Sequence, residues 1–177
     1  MKAAFIDKDG TLVEYRRYGE NPSARDILDD VLMENEILNG LIHLQNKGFK
    51  FIIVSNQPFV SRGNVTEKQM DGLFLDLILK LRVRGIEIFD CFYCPHQESD
   101  YCECRKPKAG MILDAAKKHD IDLTESFMIG DTDKDVLAGK SAGIKTVLVL
   151  TGEGEKFRNI VQPTHIVKNI NEIINII

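Results

Sequence analysis

A chain of 177 residues, 44% hydrophobic and 28% charged, holds enough apolar material for one folded unit and argues against a disordered tract. The formal net charge of −4, with both signs interspersed, disfavours a nucleic-acid binder, which would show a basic stripe. No apolar run approaches the ~20 residues that cross a bilayer, and acid arrives too early for a secretory signal, so we expect a cytoplasmic, non-membrane protein with a monomer as the default.

In chain order, "KAAFI" (2–6) is an apolar run that stops abruptly at acid, as a buried parallel strand does. Residues 14–30, "EYRRYGENPSARDILDD", form the longest polar connection, and long loops in compact domains are often functional. Ile37, Leu38, Leu41, Ile42 and Leu44 recur at helical spacing through 34–47, with Gly48 as the stop. "FKFIIVSN" (49–56) reads as a second buried strand. Thr66 and Gln69 have capping-box spacing at the head of a helix running to about residue 84. "EIFDCFYC" (87–94) is a strand feeding a cysteine loop. A helix around 108–119, a strand "SFMIGD" (126–131), a short helix over 133–142, strands at 145–150 and 164–168 and a final helix over 170–176 complete the chain. This alternation predicts an α/β fold: a Rossmann-like parallel sheet with helices on both faces, one domain spanning 1–177.

In such a sheet, ligands bind outside the carboxyl ends of the strands. The strand ends here deliver "DKDGT" (7–11), "SNQ" (55–57), Arg105 and Lys106 from the cysteine loop, and "GDTDKD" (130–135). Carboxylates gathered this closely repel one another, and a divalent cation relieves the repulsion; an all-oxygen ligand set favours magnesium. Asp131 or Asp135 alone would read as a helix cap. Four loops converging on one rim do not.

Cys91, Cys94, Cys102 and Cys104 fall in one short window, which reads as metal ligation rather than a disulfide framework. Two ligand sets are open: Cys94, His96, Cys102 and Cys104, or the four cysteines with Cys91 in place of His96. A redox role for the C-x-x-C is a weaker third reading. Either four-ligand set closes a tetrahedral zinc site, so the zinc is structural, folding loop 94–106 and fixing Arg105 and Lys106. His43, His119 and His165 read as structural residues without partners.

"DKDGT", "SNQ", Lys106 and "GDTDKD" resemble, in order, the four motifs of the haloacid dehalogenase superfamily of aspartate-nucleophile phosphatases. "SNQPFVSRG" with "CPH…CECRKPKAGM" is similar to the branch of heptose-bisphosphate and histidinol-phosphate phosphatases. The resemblance implies Asp7 as nucleophile and Asp9 as general acid and base. It also implies Ser55, Asn56 and Lys106 as phosphate-stabilising residues. Magnesium would lie on Asp7, the Asp9 carbonyl and Asp131, with Asp135 in the outer shell, and zinc on the set containing His96. Thr11 would either order the first turn through its hydroxyl or simply pack its methyl.

Relatives of this kind lack a large cap domain, and only about thirty residues separate "SNQ" from the strand before the zinc loop, which leaves no room for one. Substrate selection then falls to loops, with Tyr15, Arg16, Arg17, Tyr18, Gln57, Arg62 and Arg105 as expected contacts to a small phosphorylated sugar. The arginines would serve a second, non-reacting phosphate. Pro58, Phe59 and Thr132 depart from the heptose enzymes, and the five residues between His96 and Cys102 are closer to the histidinol-phosphate enzymes. A phosphatase of nucleic-acid ends and a non-catalytic zinc-loop protein are the remaining alternatives.

Overall fold

A computed structural model describes all of residues 1–177. Strand β1 (Ala3–Ile6) leads through a polar connection containing a short helix, α1 (Ala24–Ile27), to α2 (Glu34–Asn46) and β2 (Lys50–Asn56). Next in the chain come α3 (Glu67–Val83), β3 (Ile88–Cys94), α4 (Gly110–His119), β4 (Phe127–Gly130), α5 (Asp133–Ser141), β5 (Lys145–Val149), α6 (Gly154–Phe157) and β6 (His165–Val167). All six strands pair in parallel, in the order β3-β2-β1-β4-β5-β6.

Strand alternation divides the core into two layers. Ala4, Ile6, Phe51, Ile53, Phe127 and Ile129 face α2 and α3, meeting Ile37, Leu41, Leu44, Met70, Phe74 and Leu77. Their neighbours Ala3, Phe5, Ile52, Val54 and Met128 face the other way, against Met111, Ile112 and Ala115 of α4 and Ala138 of α5. Burial on both faces is why the strands read as unbroken apolar runs rather than as alternation. Thr66 and Gln69 form the expected capping box on α3.

Two expectations change. The final segment, expected as an α-helix over 170–176, is a 3-10 helix at Ile170–Asn175, seated on α2 through Ile170 and Ile173. The connection 14–30 is not wholly irregular: Ser23 caps α1, and Val13 bridges Leu32.

Strand order reverses between β1 and β4: β2 and β3 are added on one side of β1, and β4, β5 and β6 on the other. Loops leaving β1 and β4 therefore diverge and open a crevice at their carboxyl ends, the usual ligand position in this architecture.

Candidate active site

The crevice is a cleft of about 480 Å³. Asp7, Asp9, Tyr15, Arg16, Arg17, Tyr18, Ser55, Asn56, Arg62, Arg105, Lys106 and Asp131 all line it, bringing together most of the residues singled out from sequence.

Asp7 follows β1 directly, its N–H donating to the Ile129 carbonyl of β4 at 2.9 Å. The chain then turns at Gly10, whose φ of +78° suits a residue without Cβ; a Cβ there would also strike the Asp131 carboxylate. The turn is held by the N–H groups of Leu12 and Val13 donating to the Lys8 carbonyl. Thr11 does not order it through its hydroxyl, which is buried without a hydrogen bond.

Lys106 arrives from the cysteine loop and is buried. Its ammonium forms an ion pair with Asp7 Oδ1 at 2.8 Å and donates to Asp135 Oδ1 at 2.6 Å and to the Val54 carbonyl at 2.8 Å. Burial pulls its pKa down, but Asp135 and Asp7 more than offset this and hold it above the ordinary lysine range. Both ends of the Asn56 side-chain amide bond the Lys106 backbone, each at 3.0 Å. Asn56, expected to touch phosphate, therefore spends its side chain on holding Lys106.

Gln57, expected among the substrate contacts, is only 2% exposed and lies beneath the cleft. Its amide donates to Asp9 Oδ2 at 2.8 Å and to Ser55 Oγ at 3.0 Å, so it braces other site residues instead of meeting a ligand.

Asp131, at the end of β4, is fully buried. Its Oδ2 accepts the Glu153 N–H at 2.8 Å, while its Oδ1 is buried with no partner. Carboxylate oxygens of Asp7, Asp131 and Asp135 lie within 4.8 Å of one another. Burial, aided by neighbouring carboxylates, pushes the pKa of Asp7 up to about 7 and that of Asp131 to about 8. Such a set fits a hard divalent cation, which would offset the repulsion and give Asp131 Oδ1 a partner. Asp135 has both oxygens engaged, Oδ1 by Lys106 and Oδ2 by the N–H and hydroxyl of Thr132, which suits an outer-shell role.

At the end of β3, the Sγ atoms of Cys94, Cys102 and Cys104 lie 3.2–3.5 Å apart, and His96 Nδ1 stands 3.6 Å from Cys94 Sγ and 3.3 Å from Cys104 Sγ. These separations approach the edges, roughly 3.7 Å, of a tetrahedron with Zn–S bonds of about 2.3 Å. Cys91 lies outside the cluster, within β3, where burial pushes its thiol up to about 12. Arg105 is tied back to the loop by donating to the His96 carbonyl at 3.0 Å.

Several contributors were given no role in the site by the sequence. Lys134, in the first turn of α5, lines the cleft beside Arg105; a cation there opposes the helix dipole, the one local sign that it serves something other than its helix. Phe59 carries Tyr18 edge-on at 5.1 Å and Arg62 over its face at 5.7 Å, which gives that departure a physical role. Gly152 lets loop 150–154 approach Gly10 and Asp131. His119 is not without a partner: its Nε2 lies 2.6 Å from Asp90 Oδ2.

Residues 103–173 match the HAD-hydrolase-like family model. A D-glycero-beta-D-manno-heptose-1,7-bisphosphate 7-phosphatase of Haemophilus ducreyi is 38% identical, over 90% of this chain and 92% of its own. The bifunctional histidine-biosynthesis protein HisB of Campylobacter jejuni is 35% identical over 82% of this chain, which spans only 40% of that protein. Among solved structures, a D,D-heptose 1,7-bisphosphate phosphatase from B. bronchiseptica, complexed with magnesium and phosphate, superposes with a TM-score of 0.86. It is 25% identical and covers 99% of this chain and 97% of its own.

Proposed function

This chain belongs to the haloacid dehalogenase-like phosphatases, and from that premise we propose that it removes the 7-phosphate of D-glycero-D-manno-heptose 1,7-bisphosphate through an aspartyl-phosphate at Asp7. The observation that carries this reading is the buried contact of Lys106 with Asp7 beside the partnerless Oδ1 of Asp131. It presents a nucleophilic carboxylate, a fixed cation for the transferring group and a ligand for a divalent cation at one strand edge.

An Asp7 oxygen attacks phosphorus as the bond to the sugar oxygen breaks, and Asp9 gives its proton to that departing oxygen. Asp9 then takes a proton from the water that cleaves the aspartyl-phosphate. Lys106 and the Ser55 hydroxyl stabilise the phosphoryl oxygens. Asp7, the Asp9 carbonyl and Asp131 are the residues to hold magnesium, which supplies charge neutralisation and alignment of the phosphoryl group when bound. Cys94, His96, Cys102 and Cys104 are the residues to hold zinc, which supplies only rigidity because four protein ligands leave no open position.

The second phosphate has a natural seat. Arg16 faces Asp29 at 3.3 Å and Arg17 faces Glu153 at 4.0 Å, whereas Arg62, Arg105 and Lys134 line the cleft without carboxylate partners. Contacts to charged groups are worth about 1.5–3 kcal/mol each, so even one should favour the bisphosphate tenfold or more. Histidinol phosphate is the second reading, supported in part by the match to 40% of a bifunctional histidine-biosynthesis protein.

The test compares kcat/KM for both substrates in magnesium, with mass spectrometry of the quenched enzyme. Preference for the bisphosphate and a phosphoryl adduct on Asp7 are expected, as is a loss of about 10⁴-fold or more in Asp7→Asn. An adduct elsewhere, or normal turnover by that variant, refutes the nucleophile assignment; preference for histidinol phosphate transfers the substrate to the second reading.

A further inference from the structure

Lys8, between the two catalytic aspartates, is only 1% exposed, although nothing in a phosphoryl transfer at Asp7 requires it. Its ammonium donates to Asp9 Oδ1 at 2.7 Å and to both oxygens of Asp30, at 3.1 and 2.9 Å. Asp30 is itself nearly buried and well anchored. Around it, Val13 bridges Leu32, Glu14 N–H donates to the Val31 carbonyl and Met33 N–H to the Leu12 carbonyl. The Lys80 ammonium donates to the Asp30 carbonyl.

A buried ion pair is a weak source of stability, because desolvating both charges consumes most of the attraction, and an apolar pair of similar volume would serve the fold as well. What the apolar pair could not do is hold Asp9. With Gln57 on Oδ2 and Lys8 on Oδ1, both oxygens of the Asp9 carboxyl are fixed, yet the group still lines the cleft. Each oxygen has two lone-pair sites, so one remains for a proton directed at the substrate.

We propose that Lys8, locked by Asp30, is a positioning residue that works with Gln57 to aim the Asp9 carboxyl at the leaving-group oxygen. The step served is the first half-reaction: the Asp7 oxygen bonds to phosphorus, the bond from phosphorus to the ester oxygen breaks, and the proton on Asp9 passes to that oxygen. This rests on the phosphatase reading and adds to it the device that orients the acid.

The test exploits leaving groups. An alkoxide needs a proton as it departs, whereas p-nitrophenolate leaves without one. The ratio kcat/KM reports only steps through the first irreversible one, so later hydrolysis of the aspartyl-phosphate does not enter. General acid catalysis is worth about 10²–10⁴-fold and a misplacement of about 1 Å costs about 10²-fold. In Lys8→Met, kcat/KM for heptose 1,7-bisphosphate should fall about 10- to 100-fold, and that for p-nitrophenyl phosphate less than about 3-fold. Lys8→Arg should recover most of the loss, and Asp30→Asn should show the same selectivity more mildly.

Should Lys8→Met fail to fold because Asp30 is left buried and unpaired, the double variant Lys8→Met, Asp30→Leu removes both charges and gives the same readout. Equal losses on the two esters, or an unchanged alkyl-ester rate in folded protein, would overturn the proposal. Two controls separate it from its premise. Wild-type enzyme inactive on both esters would refute the phosphatase reading, and Asp9→Asn lowering both esters equally would refute the acid assignment itself.

Discussion

Two glycines face each other across Asp131. A Cβ on Gly152 would stand 2.1 Å from Asp131 Oδ2 and 2.7 Å from the Gly10 Cα, and the φ of +56° there is one that L side chains rarely adopt. Loop 150–154 is thereby brought close enough for the Glu153 N–H to bond Asp131 and for the Thr151 hydroxyl to bond the Gly10 carbonyl at 2.6 Å. Gly152→Ala should therefore displace Asp131 and press on the Gly10 turn, while Lys106, held through its backbone by Asn56, stays in place. We expect the magnesium concentration for half-maximal activity to rise about tenfold or more, equivalent to about 1.4 kcal/mol. The backbone strain should cost a further ~1–3 kcal/mol of stability. Magnesium titration of activity at fixed substrate checks it; an unchanged midpoint would mean that this loop does not set the Asp131 geometry.

The cysteine–histidine loop is an element with little core of its own. Between β3, which ends at Cys94, and α4 the only buried residues are Lys106 and Ala109. The path from 95 to 105 is therefore held by the cysteine–histidine cluster, by Arg105 reaching the His96 carbonyl and by the Ser61 N–H donating to the Pro95 carbonyl. Removing zinc bound at that cluster should loosen 94–106 and let Lys106 drift from Asp7, while the sheet stays folded. The larger core layer, against α2 and α3, contains none of the cluster, and only Cys94 is a buried member of the smaller layer against α4. Hydrogen exchange should rise selectively across that loop, far-UV circular dichroism should hold and kcat should fall; unchanged kinetics in fully stripped protein would refute the anchoring role. The same contrast explains what the sequence disclosed. Strands buried on both faces and helices with caps announce themselves locally, as "FKFIIVSN" and the Thr66–Gln69 pair do. Helices α1 and α6 span four residues each, too short for any periodicity, and the 170–175 segment takes its form from packing on α2. Side-chain partnerships were the least legible. Gln57 sits in a motif that looked ligand-facing, and the pairing of Lys8 with Asp30 depends on the Val13–Leu32 bridge, which no local pattern encodes.

Across the whole molecule the acidic crevice makes folding, protons and metal compete. The folded, magnesium-free chain holds protons on Asp7 and Asp131 up to about pH 7 and 8, whereas both groups in the unfolded chain release them near the ordinary carboxylate value of 3.8. Between those limits the folded state binds more protons than the unfolded state, so these two groups make stability fall as pH rises from about 4 to 8. Magnesium offers the same carboxylates a different counter-charge and must displace the protons, so it should bind more weakly at pH 5 than at pH 8. A ligand at 100 times its Kd stabilises by about 2.7 kcal/mol, or roughly 5–10 °C for a chain of this size. The measurement is thermal unfolding of protein dialysed free of magnesium with its zinc retained, at pH 5 and pH 8, with and without saturating magnesium. We expect the magnesium-induced rise to be larger at pH 8 and to vanish in Asp131→Asn, which loses the carboxylate charge. A rise as large at pH 5, or one that survives that substitution, would show that the cation binds elsewhere and that the buried carboxylates are not its ligands.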